Sequence, residues 1–261
     1  MANSVKRFYW RSRERARAWR DERVRNARLR AEAYLHPVFE IHGVRLSRSW
    51  RYTPPILTAL ASGEYEAPEA RIVGSALEPA DRVLELGTGL GLLSTLCART
   101  IGSDRVDSFE ANPALRPVIL KNYSLNGVSP RLHTTLLSDR DGEIRFYVMK
   151  DFWSSSTVRR HPRAHEIVVP TRSFNDELDR IRPTFLIIDI EGGELDWIRH
   201  ARVDGVSKVC IELHPHVIGE AGAKCVESFF EANGFVADAV LSTPRQKFYT
   251  RARSDVNRPG F

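Results

Sequence analysis

From Arg82 onward, short apolar runs alternate with amphipathic stretches, the pattern of strands and helices taking turns along a chain. Arg82–Leu86 (RVLEL) is predicted as a strand and Leu92–Ile101 as the helix after it. Arg105–Phe109 (RVDSF) is the second strand, followed by a helix over Ala114–Asn126 that closes at Gly127. Arg131–Leu137 is a third strand. Glu143–Met149 and Glu166–Pro170 read as two more, separated by the polar loop Asp151–Ala164, and Phe174–Arg180 as a short helix. Phe185–Ile190 (FLIIDI) is an apolar run of the kind buried on both faces of a parallel sheet. Glu194–His200 is helical, Lys208–Leu213 (KVCIEL) a strand, and Ala221–Asn233 a helix ended by Gly234. Phe235–Leu241 and Gln246–Arg251 form a closing hairpin. This alternation predicts an α/β fold, Rossmann-like and doubly wound, around a mostly parallel sheet.

Ahead of Arg82 the pattern differs. Residues 4–35 contain no Gly or Pro and favour helix, with Phe8, Trp19, Ala27, Ala31 and Tyr34 as a broken apolar stripe among arginines. Pro37 limits that helix. Residues 36–55 read as irregular or short-strand structure stopped by Pro54-Pro55, and a helix is expected from about Glu66 to Leu77, with Pro68 in its first turn. The expected organisation is a basic helix with its connecting segment over residues 1–60 and one α/β domain over residues 61–261.

Charge sharpens this division. The net charge is +6, yet residues 1–35 hold ten arginines and Lys6 against Glu14, Asp21, Glu22 and Glu32, a net of +7, so the remainder nets −1. The basicity belongs to the first segment alone. A nucleic acid, an anionic surface, or simple packing and homodimer formation would each use such a helix; packing is the plainer reading and nucleic acid is not favoured. No apolar run reaches the length of a membrane span, and no secretory h-region is visible. Cys97, Cys210 and Cys225 are far apart and odd in number, without zinc-type spacing or a disulfide framework. A cytoplasmic location is expected.

The sharpest chemical feature is Val83-Leu84-Glu85-Leu86-Gly87-Thr88-Gly89-Leu90-Gly91, where a strand runs into alternating glycines and a helix begins. Glycine is needed where the backbone takes positive φ or a ligand approaches it closely. The spacing departs from the dinucleotide fingerprint, and Glu85 suits a ligand with an ammonium better than a pyrophosphate. S-adenosyl-L-methionine (SAM) carries such a group. Glu110 closes the next strand, where a carboxylate accepts ribose hydroxyls. Ser138-Asp139, at the end of the third, is where an adenine amino group would lie, and also reads as plain turn chemistry.

Two acidic motifs follow. Asp189 and Glu191 share a face at the end of the FLIID strand, ahead of Gly192-Gly193, and Glu194 reads as a first-turn charge facing the helix dipole. Glu212 and His214 share a face at the end of the next strand. A carboxylate and a histidine there suit substrate binding and general-base work on a hydroxyl; a structural Glu–His pair and a divalent ion on Asp189, Glu191, Glu212 and His214 remain open. Spacing alone assigns no metal.

Taken together the motifs resemble the FkbM family of class I SAM-dependent methyltransferases. The resemblance rests on Gly63-Glu64-Tyr65-Glu66, the loop ELGTGLG, Phe109-Glu110-Ala111-Asn112-Pro113, and Asn122 through Asn126-Gly127. Further matches are Ser155-Ser156, Asp189-Ile190-Glu191-Gly192-Gly193-Glu194 and Ile211-Glu212-Leu213-His214. It implies a seven-stranded sheet with its last strand antiparallel, SAM as cofactor, and O-methylation of a hydroxyl on a small-molecule or saccharide acceptor. SAM would lie against Gly87, Thr88, Gly89 and Gly91, with Glu85 nearby, Glu110, Ala111 and Asn112 by the ribose, Ser138 by the adenine and Asp189 by the methyl donor. Asp189, Glu191, Glu212 and His214 would act on the acceptor, Tyr65 and Glu66 would cover the cofactor, and Trp153–Ser156 would overlie the pocket. The family often has Lys before the fourth-strand Asp; here it is Ile188. An RNA or protein methyltransferase docking through the basic helix, and a non-catalytic SAM-binding protein, are the competing expectations.

Overall fold

The computed structural model describes residues 36–252 and, ahead of them, Asp21, Arg23, Val24, Ala27, Arg28, Ala31 and Leu35 alone, all helical. The arginine-rich helix expected over residues 4–35 lies otherwise outside the described residues.

Alternating apolar positions close a hairpin of β1 (Val38–Ile41) and β2 (Val44–Ser47), with Phe39 opposite Leu46 and Ile41 opposite Val44. Helix α1 (Pro54–Ser62) comes next and corrects the expectation that Pro54-Pro55 ends structure. The prolines occupy its first turn, where the missing N–H groups would have had no helical acceptor. Helix α2 (Ala67–Ala76) follows with Pro68 in the same role.

The centre of the main sheet is built from strands buried at every position: β3 (Val83–Leu86), β4 (Val106–Phe109) and β9 (Phe185–Ile188). Between the first two lies helix α3 (Leu92–Ile101), and after β4 come helix α4 (Arg116–Leu125) and β5 (Arg131–His133). The strand predicted over Arg131–Leu137 breaks here. Arg131–His133 pairs with β4, and the chain then leaves the sheet: β6 (Leu136–Ser138) joins β7 (Gly142–Val148) and β8 (His165–Ser173) in a second, three-stranded sheet. Thr135 marks the step, its hydroxyl donating to the Pro170 carbonyl at 2.7 Å. An edge strand has a free side, and these residues complete their hydrogen bonds on β8 instead.

Helix α5 (Phe174–Ile181) leads into β9, which ends two residues earlier than predicted because Glu191 and Gly192 turn the chain with positive φ. Helix α6 (Glu194–Ile198), β10 (Lys208–Glu212), helix α7 (Pro215–Ala232), β11 (Phe235–Ala237) and β12 (Gln246–Arg251) complete the described chain. Helix α7 starts before its predicted Ala221 and is broken at Gly219. Among the described residues the main sheet runs β11-β12-β10-β9-β3-β4-β5, parallel except where β12 pairs with its neighbours β10 and β11.

Strand alternation divides the core in two. Val83, Phe185 and Ile187 face α2 and α3, while Leu84, Leu186 and Ile188 face Phe174, Trp197 and Phe230 of the other helical layer. The three cysteines are free. Among the described residues no helix is long and apolar enough to cross a membrane.

Candidate functional site

The carboxyl ends of β3, β4, β9 and β10 open into a cleft of about 610 Å3, walled also by the Tyr65-Glu66 turn, the second sheet and the Phe152–Thr157 loop. It lies where the winding of the sheet reverses, between β3 and β9, the usual ligand position in open α/β sheets.

Two glycines shape its floor. At Gly87 (φ +86°) an added Cβ would lie 1.8 Å from the Asp189 carbonyl oxygen, so the ends of β3 and β9 meet only without a side chain there. At Gly89 (φ +56°) it would meet the Tyr65 hydroxyl at 2.6 Å. That hydroxyl accepts from the Leu90 N–H at 3.2 Å, so Tyr65 braces the loop from outside, and its ring stacks on Trp153.

Glu110 closes the side of the cleft at the end of β4. Its Oε2 accepts from the Gly89 N–H at 3.0 Å and its Oε1 from the Asn112 N–H at 2.7 Å. The residue is 8% exposed, and burial pushes its carboxyl up to about 7 against these bonds. Ala111 and Ser138 also line the cleft, beside Phe109, Leu136 and Leu137. Other expected cofactor residues stand behind the wall. Thr88 donates to the Phe109 carbonyl, Gly91 caps helix α3, and the Asn112 side chain accepts from the Ala114 N–H. Glu85 shares the face of Val83 and lies beneath α3, where burial pushes its carboxyl up to about 7 against the nearby polar groups of Ser94, Thr88 and Ser108.

Asp189, Glu191, Glu212 and His214 are brought together at the other side. His214 Nε2 lies 3.5 Å from Glu191 Oε2, 3.6 Å from Asp189 Oδ1 and 4.0 Å from Glu212 Oε1. Asp189, Glu191 and Glu212 line the cleft, and His214 stands behind them, 1% exposed. Glu194 corrects the sequence expectation. It does open α6, but it is fully buried and takes the His214 Nδ1–H at 2.5 Å. Glu66 and Glu69 add further carboxylates at the rim. Burial, then Glu212 and Glu191, push Asp189 well above the usual carboxylate range, and burial with Glu212 raises Glu69 to about 7. A cleft this acidic attracts cations and repels anionic ligands.

Sequence reasoning missed Glu69, Arg245 and Gln246, and named Glu194 without its bond to His214. Gln246 donates to Glu212 Oε1 at 3.0 Å across the β10–β12 pair, and Arg245, just ahead of β12, forms an ion pair with the same oxygen at 2.6 Å. The hairpin prediction located β12 but gave no sign of what its first residues touch.

A family model described as a methyltransferase FkbM domain matches residues 92–237, more than half of the chain. Ribosomal protein L11 methyltransferase from Geobacter metallireducens is 36% identical over 87 residues, which is 32% of this chain and 29% of that protein. The match thus spans less than a third of that relative's length. Among solved structures, the ribosomal protein L11 methylase of Lactobacillus delbrueckii subsp. bulgaricus overlaps 71% of this chain and 77% of its own, at 16% identity and a TM-score of 0.40. A methyltransferase from Pyrococcus furiosus overlaps 88% and 97%, at 12% identity and a TM-score of 0.43. Overlaps this distant transfer neither substrate nor residue roles. The family match, which covers helix α3 through β11, carries the assignment: the chain belongs to the FkbM methyltransferase family.

Proposed function

We propose that the protein is a SAM-dependent O-methyltransferase acting on a hydroxyl of a small-molecule or saccharide acceptor. The observation that carries this reading is one cleft shared by the Gly87–Gly89 loop with Glu110 and by the Asp189–Glu191–Glu212 cluster with His214.

The residues present fit the cofactor. Gly87 and Gly89 present bare backbone to the cleft, the places of their missing side chains being taken by the Asp189 carbonyl and the Tyr65 hydroxyl, and Glu110 retains lone pairs for two ribose hydroxyls beside the N–H bonds it already accepts. Phe109, Leu136 and Leu137 offer apolar walls for a flat base, with Ser138 at their edge. When bound, SAM supplies a methyl group made electrophilic by a sulfonium. The acidic lining of the cleft favours that positive charge. Asp189, 27% exposed at the cleft, is set to hold the acceptor hydroxyl, and its fixed position shortens the search for an in-line approach. Glu191 and Glu212 are next in line to take the hydroxyl proton. Trp153 and Phe152 limit access of water from above.

Incubation with methyl-labelled SAM and a panel of hydroxylated acceptors tests this reading. Label appears on an acceptor oxygen with the wild type and falls about a hundredfold with Asp189→Ala. Turnover unchanged in both Asp189→Ala and His214→Ala would reject these roles.

One observation favours a second reading, a macromolecular acceptor: the net charge of +7 on residues 1–35. Deletion of residues 1–35 then abolishes RNA binding and spares SAM binding. The acidic cleft itself supports the smaller, uncharged acceptor.

A further inference from the structure

His214 is buried, and its two ring nitrogens have opposite fates. Nδ1 is held by Glu194 Oε1 at 2.5 Å, and Glu194, itself fully buried, also takes the Gly192 N–H at 3.1 Å. A carboxylate on Nδ1 fixes the tautomer and turns the Nε2 lone pair outward. Nε2 has no hydrogen-bond partner, and neither does Asp189 Oδ1, which is buried opposite it. Around Nε2 stand anionic oxygens: Glu191 Oε2 at 3.5 Å, Asp189 Oδ1 at 3.6 Å and Glu212 Oε1 at 4.0 Å. All three lie beyond the length of a sound hydrogen bond.

Buried donors and acceptors normally find partners, and lone pairs facing one another across a gap leave them wanting a cation. A proton on Nε2 would serve one oxygen at most, and poorly at these separations. A metal ion serves Nε2, Asp189 and Glu212 together, since one ligand atom from each lies within 4.8 Å of the others. Nitrogen and oxygen donors about 2.0–2.2 Å from a first-row ion stand roughly 3.3–3.6 Å apart in tetrahedral array, close to the shorter separations here.

We infer that the gap bounded by His214 Nε2, Asp189 Oδ1 and the Glu212 carboxylate is a binding site for a divalent transition-metal ion. The imidazole favours an ion of the manganese-to-zinc series over magnesium or calcium, which take oxygen donors. The surroundings are built to hold the ligands. Arg160 donates to the Glu191 carbonyl at 3.0 Å, and Glu191 keeps a φ of +47° that ordinary residues avoid unless their neighbours enforce it, so the turn that carries Asp189 is held. Gln246 and Arg245 hold Glu212 through its Oε1 and leave its Oε2 for the ion. Binding of the ion stands independently of methyl transfer. Its use rests on that reading: an ion beside the cleft would take the acceptor's oxygen as a further ligand and ease loss of its proton.

The test is a titration of the full chain, stripped of metal by a chelator, with manganese(II) chloride, followed by electron paramagnetic resonance and calorimetry. One ion per chain is expected at micromolar affinity. Asp189→Asn and His214→Ala weaken binding by more than tenfold, and Glu194→Gln weakens it about tenfold by releasing Nδ1. The exposed Asp204→Asn leaves it unchanged. Circular dichroism reports folding, and the near-isosteric Asp189→Asn decides if His214→Ala fails to fold. No ion bound by the wild type, or full affinity in folded Asp189→Asn, overturns the inference. SAM is titrated in parallel: SAM binding without manganese binding sinks the metal site alone, and manganese binding without SAM binding sinks the methyl-transfer reading alone.

Discussion

The carbonyl oxygen of Asp189 fills the space beside Gly87, 1.8 Å from where a Cβ would stand. The same contact joins the cofactor loop to the acidic strand end, so the two halves of the cleft are set by one close approach. Gly87→Ala has to push β3 from β9 and hold a left-handed alanine. It is expected to lower stability by about 3 kcal/mol in urea titration and to abolish SAM binding. Gly127→Ala is the control: its φ is +66° but nothing lies within 4 Å, so the loss stays near 1 kcal/mol. Equal losses in the two variants would contradict the packing account.

Glu110 gives a pH dependence with a defined sign. Burial raises its folded value to about 7 from 4.5. The folded state therefore holds the proton more tightly, and this contribution to stability, complete below about pH 4.5, is lost as pH rises through about 7. SAM affinity runs the other way, since only the ionised carboxylate accepts two ribose hydroxyls well. Calorimetry from pH 8 to pH 6 should show weakening affinity, and Glu110→Gln should flatten the profile. A profile unchanged in the variant would assign the titration elsewhere.

Glu85 and Glu110 are both buried glutamates near the loop, yet only Glu110 lines the cleft. Glu85→Gln keeps the shape of the side chain and removes a buried charge. Thermal unfolding at pH 8 should rise by a few degrees with SAM affinity changed less than about threefold. A tenfold loss of affinity would place Glu85 in contact with the cofactor after all.

Stability on the far side of the sheet rests on Asp107, fully buried and bound by Arg131, His133 and Arg180. Burial opposes its charge, but the bonds from His133 and Arg131 outweigh it and hold the carboxyl well below the usual range. Its contribution is present above about pH 4 and lost as pH falls. Asp107→Ala removes the acceptor shared by Arg131, His133 and Arg180, and, because both arginines stay half exposed, is expected to cost about 2 kcal/mol in urea titration at pH 7. A loss below about 1 kcal/mol would make the cluster a surface decoration.

What was legible in the chain follows from these contacts. Glycines at 87 and 89 are visible because positive φ and close approach admit few other residues, and Glu110 because it ends a strand at a fixed remove from them. The run FLII is legible because Phe185 and Ile187 face one core while Leu186 and Ile188 face the other, so every position is apolar. Pairings across the fold leave no such trace. Glu194 looks like any acid in a first helical turn until α6 and β10 bring it to His214, twenty residues on. Glu212 gives no hint of Arg245 and Gln246, and nothing in Arg131–Leu137 marks the step at Thr135, because the free edge of β5 and the waiting edge of β8 exist only after folding.

The most direct test is calorimetric titration of the purified full chain with SAM, S-adenosylhomocysteine and NAD, beside Glu110→Ala. The account predicts one site with micromolar affinity for SAM and S-adenosylhomocysteine, weakened at least about tenfold by the substitution, and no heat with NAD. Folded protein that binds neither SAM nor S-adenosylhomocysteine, or binds them equally well without the Glu110 carboxylate, would contradict it.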